Sequence, residues 1–370
     1  MTSIDTKRNV GIDLLRILLM FFIIIGHCLV HTTIRDNLLL FSGKWFFTWG
    51  IQTFTSCAVN CFILITGYFM ANKSFHCEHI AKLWIKVWIY SMLLWLISTI
   101  CGFNVLSFKA ICQAIFPILS NVWWFMSAYI LLYLFSPFLN SALQNISIRK
   151  LTVLFLLIIV IFYLLPIFQV IFPLVDKQEG MGIMGFITLY IIGAYLAKAK
   201  FSLSVNQCLV GLVANNLIVL LSKVVFAWWF AKHQLNIGSS LFYHYNTIFQ
   251  LLNAVLLFLL FKQMKFITKF HTSITYVSAS VFAIYLIHEY PLIRNLLWRS
   301  GLYQVFISVS FLQFMGLVLF ISLFVFGLGV LIDKCSERIL FRPFFASKLW
   351  NIIRSKSTFV DLYFNDIQIN

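Results

Sequence analysis

Residues 11–31 read GIDLLRILLMFFIIIGHCLVH. The run is long enough and apolar enough to cross a bilayer, which takes about 20 such residues. Yet it carries Asp13, Arg16 and His27. An ionisable side chain at a helix centre in lipid costs about 2.5–3.5 kcal/mol on insertion scales. A sequence that accepts that cost three times in one helix needs a reason.

Helical geometry supplies part of it. At about 100° per residue, the eleven steps from Arg16 to His27 leave them about 20° apart in projection and about 16 Å apart along the axis. Asp13 lies one turn before Arg16, within pairing reach. All three project from one stripe. One reading is an interfacial Asp13–Arg16 ion pair, with Arg16 snorkelling and His27 a hydrogen-bonded core histidine. The other is a polar pocket or pathway inside a bundle.

The whole chain has the same character. Of 370 residues, 62% are hydrophobic and 10% charged, with mean hydropathy +0.96. Soluble domains carry roughly 25% charged residues. An all-α polytopic membrane bundle is expected, with no hydrophilic stretch long enough for a separate soluble domain. Ten apolar runs lie near 10–31, 46–70, 83–102, 122–142, 152–173, 181–197, 205–231, 244–261, 274–292 and 305–332. They form one transmembrane domain over 8–332, followed by a polar tail over 333–370.

The net charge of +16 does not point to nucleic acid. Its lysines and arginines sit in short loops between apolar runs. With both termini in the cytoplasm, inside segments hold 18 of the 27 and outside loops seven, and Arg16 and Lys223 fall within spans. That asymmetry follows the positive-inside rule. An odd span count scrambles it.

Several further residues have two readings. Tryptophans near run ends, among them Trp45, Trp49, Trp84, Trp88, Trp123, Trp124, Trp228 and Trp229, read mostly as interface anchors, with Trp124 also suited to stack on a sugar. Cys57 and Cys61 share a helix face but lack a second ligand pair, and read as small core residues. His76, Glu78 and His79 have too few partners for a metal centre, and no metal site is expected. Lys223 either snorkels or meets a buried acid. His31 lies one turn beyond His27 and lines the same side. His288 and Glu289 are either an interfacial polar pair or part of a pocket. Asp176 and Glu179 fall in an outside loop, solvated or facing a substrate. No hydrolase elbow, phosphate-binding loop or zinc-protease motif is present.

The chemistry of the stripe suits two tasks. Arginine is a permanent forked cation for phosphate or carboxylate. Histidine is a general base near neutral pH. A donor with a charged nucleotide, a long thin arm and a reactive tip would use both, and acyl-coenzyme A has that shape.

Arg16-x10-His27, preceded by "IDLLR", resembles the first helix of the acyltransferase-3 family of bacterial membrane O-acyltransferases. "FILITGYFM" (62–70) is similar to the end of its second helix. "VWWFMSAYILLYLFSPFL" (122–139) is similar to its fourth, and "SASVFAIYLIHEYPL" (278–292) to a late Tyr-x2-His helix. The resemblance covers about residues 8–332. It implies transfer of an acyl group, usually acetyl, from acetyl-coenzyme A to a sugar or surface polysaccharide at the bacterial plasma membrane.

It implies Tyr285 and His288 toward the acceptor, where Trp124 can also stack on a sugar; in the expected site His27 is the general base, Arg16 meets the donor and Asp13 positions Arg16. Many members carry an Arg-x-x-Arg pair after the second helix that binds the donor. Here that region reads "KSFHCEHIAKLWIKVWIY", and Lys82 and Lys86 are its candidate phosphate ligands. Many members also fuse an extracytoplasmic hydrolase-like domain; none is expected here, so direct acylation of the acceptor or a separate partner is expected. The expected partners are acyl-coenzyme A, a glycan or lipid-linked sugar acceptor and membrane lipids, with a homo-oligomer left open. The competing class is an exporter or flippase of polysaccharide or lipid-linked sugar.

Overall fold

The structure is a computed structural model. It describes residues 8–103, 106–168, 179–233, 240–264 and 270–369. Among them the regular elements are all helical. The first half contains α1 (Val10–His31), α2 (Gly43–Thr55), α3 (Ala58–Met70), α4 (Cys77–Ile100), α5 (Phe108–Ile115), α6 (Trp124–Asn145), α7 (Ile148–Ile158) and α8 (Ile183–Lys198). The second half contains α9 (Val205–His233), α10 (Ile248–Lys262), α11 (His271–Ser278), α12 (Val281–His288), α13 (Pro291–Trp298), α14 (Leu302–Ser308), α15 (Phe311–Ser336), α16 (Arg342–Phe345) and α17 (Lys348–Ile369).

Among the described residues, eight helices or continuous helix pairs are long and apolar enough to cross a membrane. A ninth candidate is the pair His271–His288 and Pro291–Ser308, bent by 83°, and α8 is a shorter apolar helix. The protein is therefore an all-α polytopic bundle. Each of the ten expected runs coincides with one of these helices or pairs. The fifth does so only to Phe168, because residues 169–178, and with them the Asp176 reading, lie outside the described part.

Three boundaries differ from the sequence reading. The run over 46–70 breaks at Ser56–Cys57, where the side chains of Thr53 and Thr55 bond back to the carbonyls of Gly50 and Gln52, and Gln52 bonds Ser56. Such back-bonding competes with the helical ladder and bends it. The expected loop over 293–304 is largely helical, because Pro291 stands at the start of α13, where its missing N–H costs nothing. The polar tail is also helical: α15 runs on through a π-turn over Glu337–Phe341, and α17 packs against α4 and α6.

Two hydrophobic cores flank a seam. One gathers Ile12, Leu15 and Leu19 of α1 with residues of α3, α6, α8 and α10. The other gathers Met20, Ile24, Cys28 and Leu29 of α1 with α6, α12 and α15. Helices α1 and α6 belong to both. Close packing is carried by glycine where backbones touch. A side chain at Gly67 of α3 would collide with the backbone of Tyr190 in α8, and one at Gly193 of α8 with that of Leu64. This is the small-residue approach typical of membrane helices. Cys57 and Cys61 are buried in the first core.

The tryptophans divide. Trp84, Trp88, Trp228 and Trp229 are exposed, as anchors should be, whereas Trp45, Trp49 and Trp123 are buried. Trp49 carries Lys223 over its ring at 3.5 Å, a cation–π contact.

Candidate active site

Asn9 caps α1 by accepting from the Ile12 amide, which places Asp13 on the buried side of the first turns. Asp13 is 1% exposed. Its carboxylate accepts from the Ser278 hydroxyl and holds two guanidiniums, Arg8 at 2.5 Å and Arg16 at 3.2 Å. Asp13 and Arg16 are paired as their spacing implies. Arg8, counted from the sequence only among the inside charges, joins them.

Three turns along α1, His27 meets the end of α12. Its Nδ1 lies 2.7 Å from Glu289 Oε2 and 3.0 Å from His288 Nε2. His31 Nε2 lies 3.3 Å from Glu289 Oε1. Arg294 of α13 donates to the same oxygen at 2.8 Å. Pro291 and the bend behind it turn the chain so that Glu289 faces α1 and Arg294 reaches back. His288 Nδ1 is 2.6 Å from the carbonyl of Ile284.

The hydrogen-bond pattern assigns the tautomers. A carbonyl only accepts, so His288 donates from Nδ1, and in its neutral form Nε2 is an acceptor. Glu289 also accepts. His27 Nδ1 thus faces two acceptors and carries the proton, which leaves the lone pair on Nε2. A carboxylate at Nδ1 also stabilises the charge that His27 gains when Nε2 takes a proton, the arrangement of a histidine base and its orienting acid.

A cavity of about 940 Å³ joins the two clusters. It is lined from Arg8 and Arg16 through Met20, Ile23 and His27 to His31, Arg35, Glu179 and Arg294. Its walls include Gln52, Trp124, Tyr129, Tyr245 and Tyr285. The size is that of a small-molecule site.

The expected residues fall into two sets. Asp13, Arg16 and His27 gather at the cavity with Trp124, Tyr285 and His288: Trp124 and Tyr285 line it, and His288 bonds His27. Lys82 and Lys86 do not line it. Lys82 pairs with Glu78 at 2.8 Å and Lys86 with Glu337 at 3.1 Å. The neighbouring tryptophans part as well. Trp123 donates from Nε1 to the carbonyl of Leu286, one of the groups that the end of α12 leaves unpaired.

Glu289, named only with His288 as a polar pair, and Arg294, counted only as a loop charge, are the residues the sequence underrated. The dipeptide His288-Glu289 inside an apolar run was the available signal. His27, His288 and Glu289 can bring ligand atoms within 4.8 Å of one another. Here the same atoms are joined by hydrogen bonds, and the charge of Glu289 is matched by Arg294.

No curated protein and no solved structure matches the chain. The acyltransferase domain model of the acyltransferase-3 family matches residues 9–333, the whole of the bundle that encloses the two clusters. The chain belongs to that family and is a multi-pass membrane acyltransferase.

Proposed function

We propose that this protein moves an acyl group, most simply acetyl, from acyl-coenzyme A to a hydroxyl of a sugar in a surface or exported glycan, at the plasma membrane of a bacterium. The observation that carries the reading is the His27–Glu289 contact of 2.7 Å at a cavity whose opposite end holds Arg8 and Arg16.

The donor's phosphates bind at Arg8 and Arg16, which Asp13 holds side by side. The pantetheine arm follows the cavity toward His27, over the roughly 16 Å that separate Arg16 from His27 along a helix. The acceptor hydroxyl approaches from the end lined by Arg35 and Arg294, against Trp124 and Tyr285. His27 Nε2 takes the hydroxyl proton as the oxygen attacks the thioester carbonyl. The carbon–oxygen bond forms, the carbon–sulfur bond breaks, and the proton passes to the departing thiolate. The products are an ester and free coenzyme A. Glu289 balances the transient imidazolium.

Both termini lie on the cytoplasmic side in this reading, where the donor is made. The test is donor turnover by purified protein in nanodiscs, with and without glycan acceptors, for wild type and His27→Ala. A general base contributes about 10²- to 10⁴-fold, so acceptor-dependent thiol release should fall by that factor in a folded variant. Glycan export in cells that survives His27→Ala, with no donor binding or turnover by wild type, would replace the transferase with an exporter.

A further inference from the structure

We propose that α17 is a membrane-surface helix whose apolar face rests in an anionic lipid leaflet while its polar face locks the turn between α3 and α4. The helix has two opposed faces. At about 100° per residue, Leu349, Ile352, Phe359 and Tyr363 share an arc of about 80°, and Arg354, Asp361 and Asn365 share one of about 40° on the other side.

The polar arc is fully used. Asn365 accepts from the Phe75 amide at 2.9 Å and donates to the Phe75 carbonyl at 3.2 Å. Asp361 accepts from the Cys77 amide, and Arg354 pairs with Glu78 at 3.3 Å. These bonds fix α17 to residues 75–78. Among the described residues the apolar arc has no protein partner of comparable size: Leu349, Ile352, Phe359 and Tyr363 are 57%, 54%, 62% and 64% exposed.

Lipid is the occupant that the surroundings favour. The exposed face continues into the apolar flank of the bundle, through the contact of Phe364 with Phe138, which is 50% exposed beside Phe135 at 52%. Charge agrees. Residues 334–356 hold six basic side chains and one acidic one. Lys356 lies within the apolar arc and Lys348 about 20° outside it, where their stems can lie on lipid and their ammonium groups reach headgroups. An apolar stripe carrying basic groups that can snorkel to headgroups fits a helix lying in an interface, and each basic group adds attraction to an anionic leaflet.

The test places photo-crosslinking p-benzoylphenylalanine at Phe359 in the full chain. The protein is reconstituted in nanodiscs of phosphatidylcholine and phosphatidylglycerol, and adducts are read by mass spectrometry. The same residue at Phe320 of α15, which is 66% exposed, reports that the protein is inserted. At Thr358, across α17, it probes the opposite side. The expected result is phospholipid adducts at 359 and 320, none at 358, and phosphatidylglycerol enriched about 2-fold or more at 359 over 320. Enrichment should be lost in Lys348→Gln/Lys356→Gln. Adducts at 320 with none at 359, a cross-linked second copy at 359, or phosphatidylglycerol at its bulk share there would each overturn the proposal.

Discussion

Glu289 holds the ring of His27 through its Nδ1. The two residues are 262 positions apart in the sequence, and their side chains meet at 2.7 Å. With Arg294 holding the other carboxylate oxygen, Glu289 cannot swing away without breaking a second charged bond. Glu289→Gln keeps the shape and removes the charge. Its kcat for thiol release should fall by on the order of 10²-fold, with the donor KM within a few-fold of wild type. An unchanged kcat would remove Glu289 from the proton path.

Asp13 positions two cations at once. In Asp13→Asn the guanidiniums lose their shared anion and spread toward solvent. The donor KM should rise roughly 10-fold, a change of about 1.4 kcal/mol, with kcat little altered. A kcat loss with KM intact would place Asp13 in the chemical step.

Lys82 and Lys86 give the opposite expectation. Each is partly exposed and paired with a nearby acid, a contact of about 0–1 kcal/mol. Lys82→Ala and Lys86→Ala should leave the donor KM within about 2-fold, whereas Arg16→Ala should raise it at least 10-fold. A large KM effect at either lysine would move the phosphate site to α4.

Gly193 marks where α8 and α3 touch through their backbones. Gly193→Val must push the helices apart, and overpacking of this kind costs about 1–3 kcal/mol or more. The variant should melt several degrees lower in detergent and express poorly. Gly327→Ala, on a face of α15 where an added Cβ meets nothing within 4 Å, should melt at or slightly above wild type.

The elements that could be read from the sequence are those fixed by local periodicity. The Asp13–Arg16–His27 stripe follows from helix pitch alone, and the ten apolar runs from bilayer thickness. What escaped depends on distant partners. Lys86 looked free because Glu337, its counter-charge, sits 251 residues on. Trp123 looked like an interface anchor because nothing local shows that the Leu286 carbonyl needs a donor. The break at Ser56 has no proline or glycine beside it, only hydroxyl and amide side chains that turn inward. The tail reads only as a polar segment because its polar residues appear scattered until a helix aligns Arg354, Asp361 and Asn365 against the α3–α4 turn.

The Asp13 carboxylate between Arg8 and Arg16 works as a resident counter-ion. At the proposed donor mouth it lowers the charge of the two guanidiniums from +2 to +1 before any donor arrives, so small anions such as chloride gain less by entering. A polyphosphate gains more, because its several oxygens can engage both forks from the side that Asp13 does not cover. In the proposed function, selectivity for a multiply charged nucleotide over monovalent anions is then favoured by the resting state, by ion exchange rather than by vacancy.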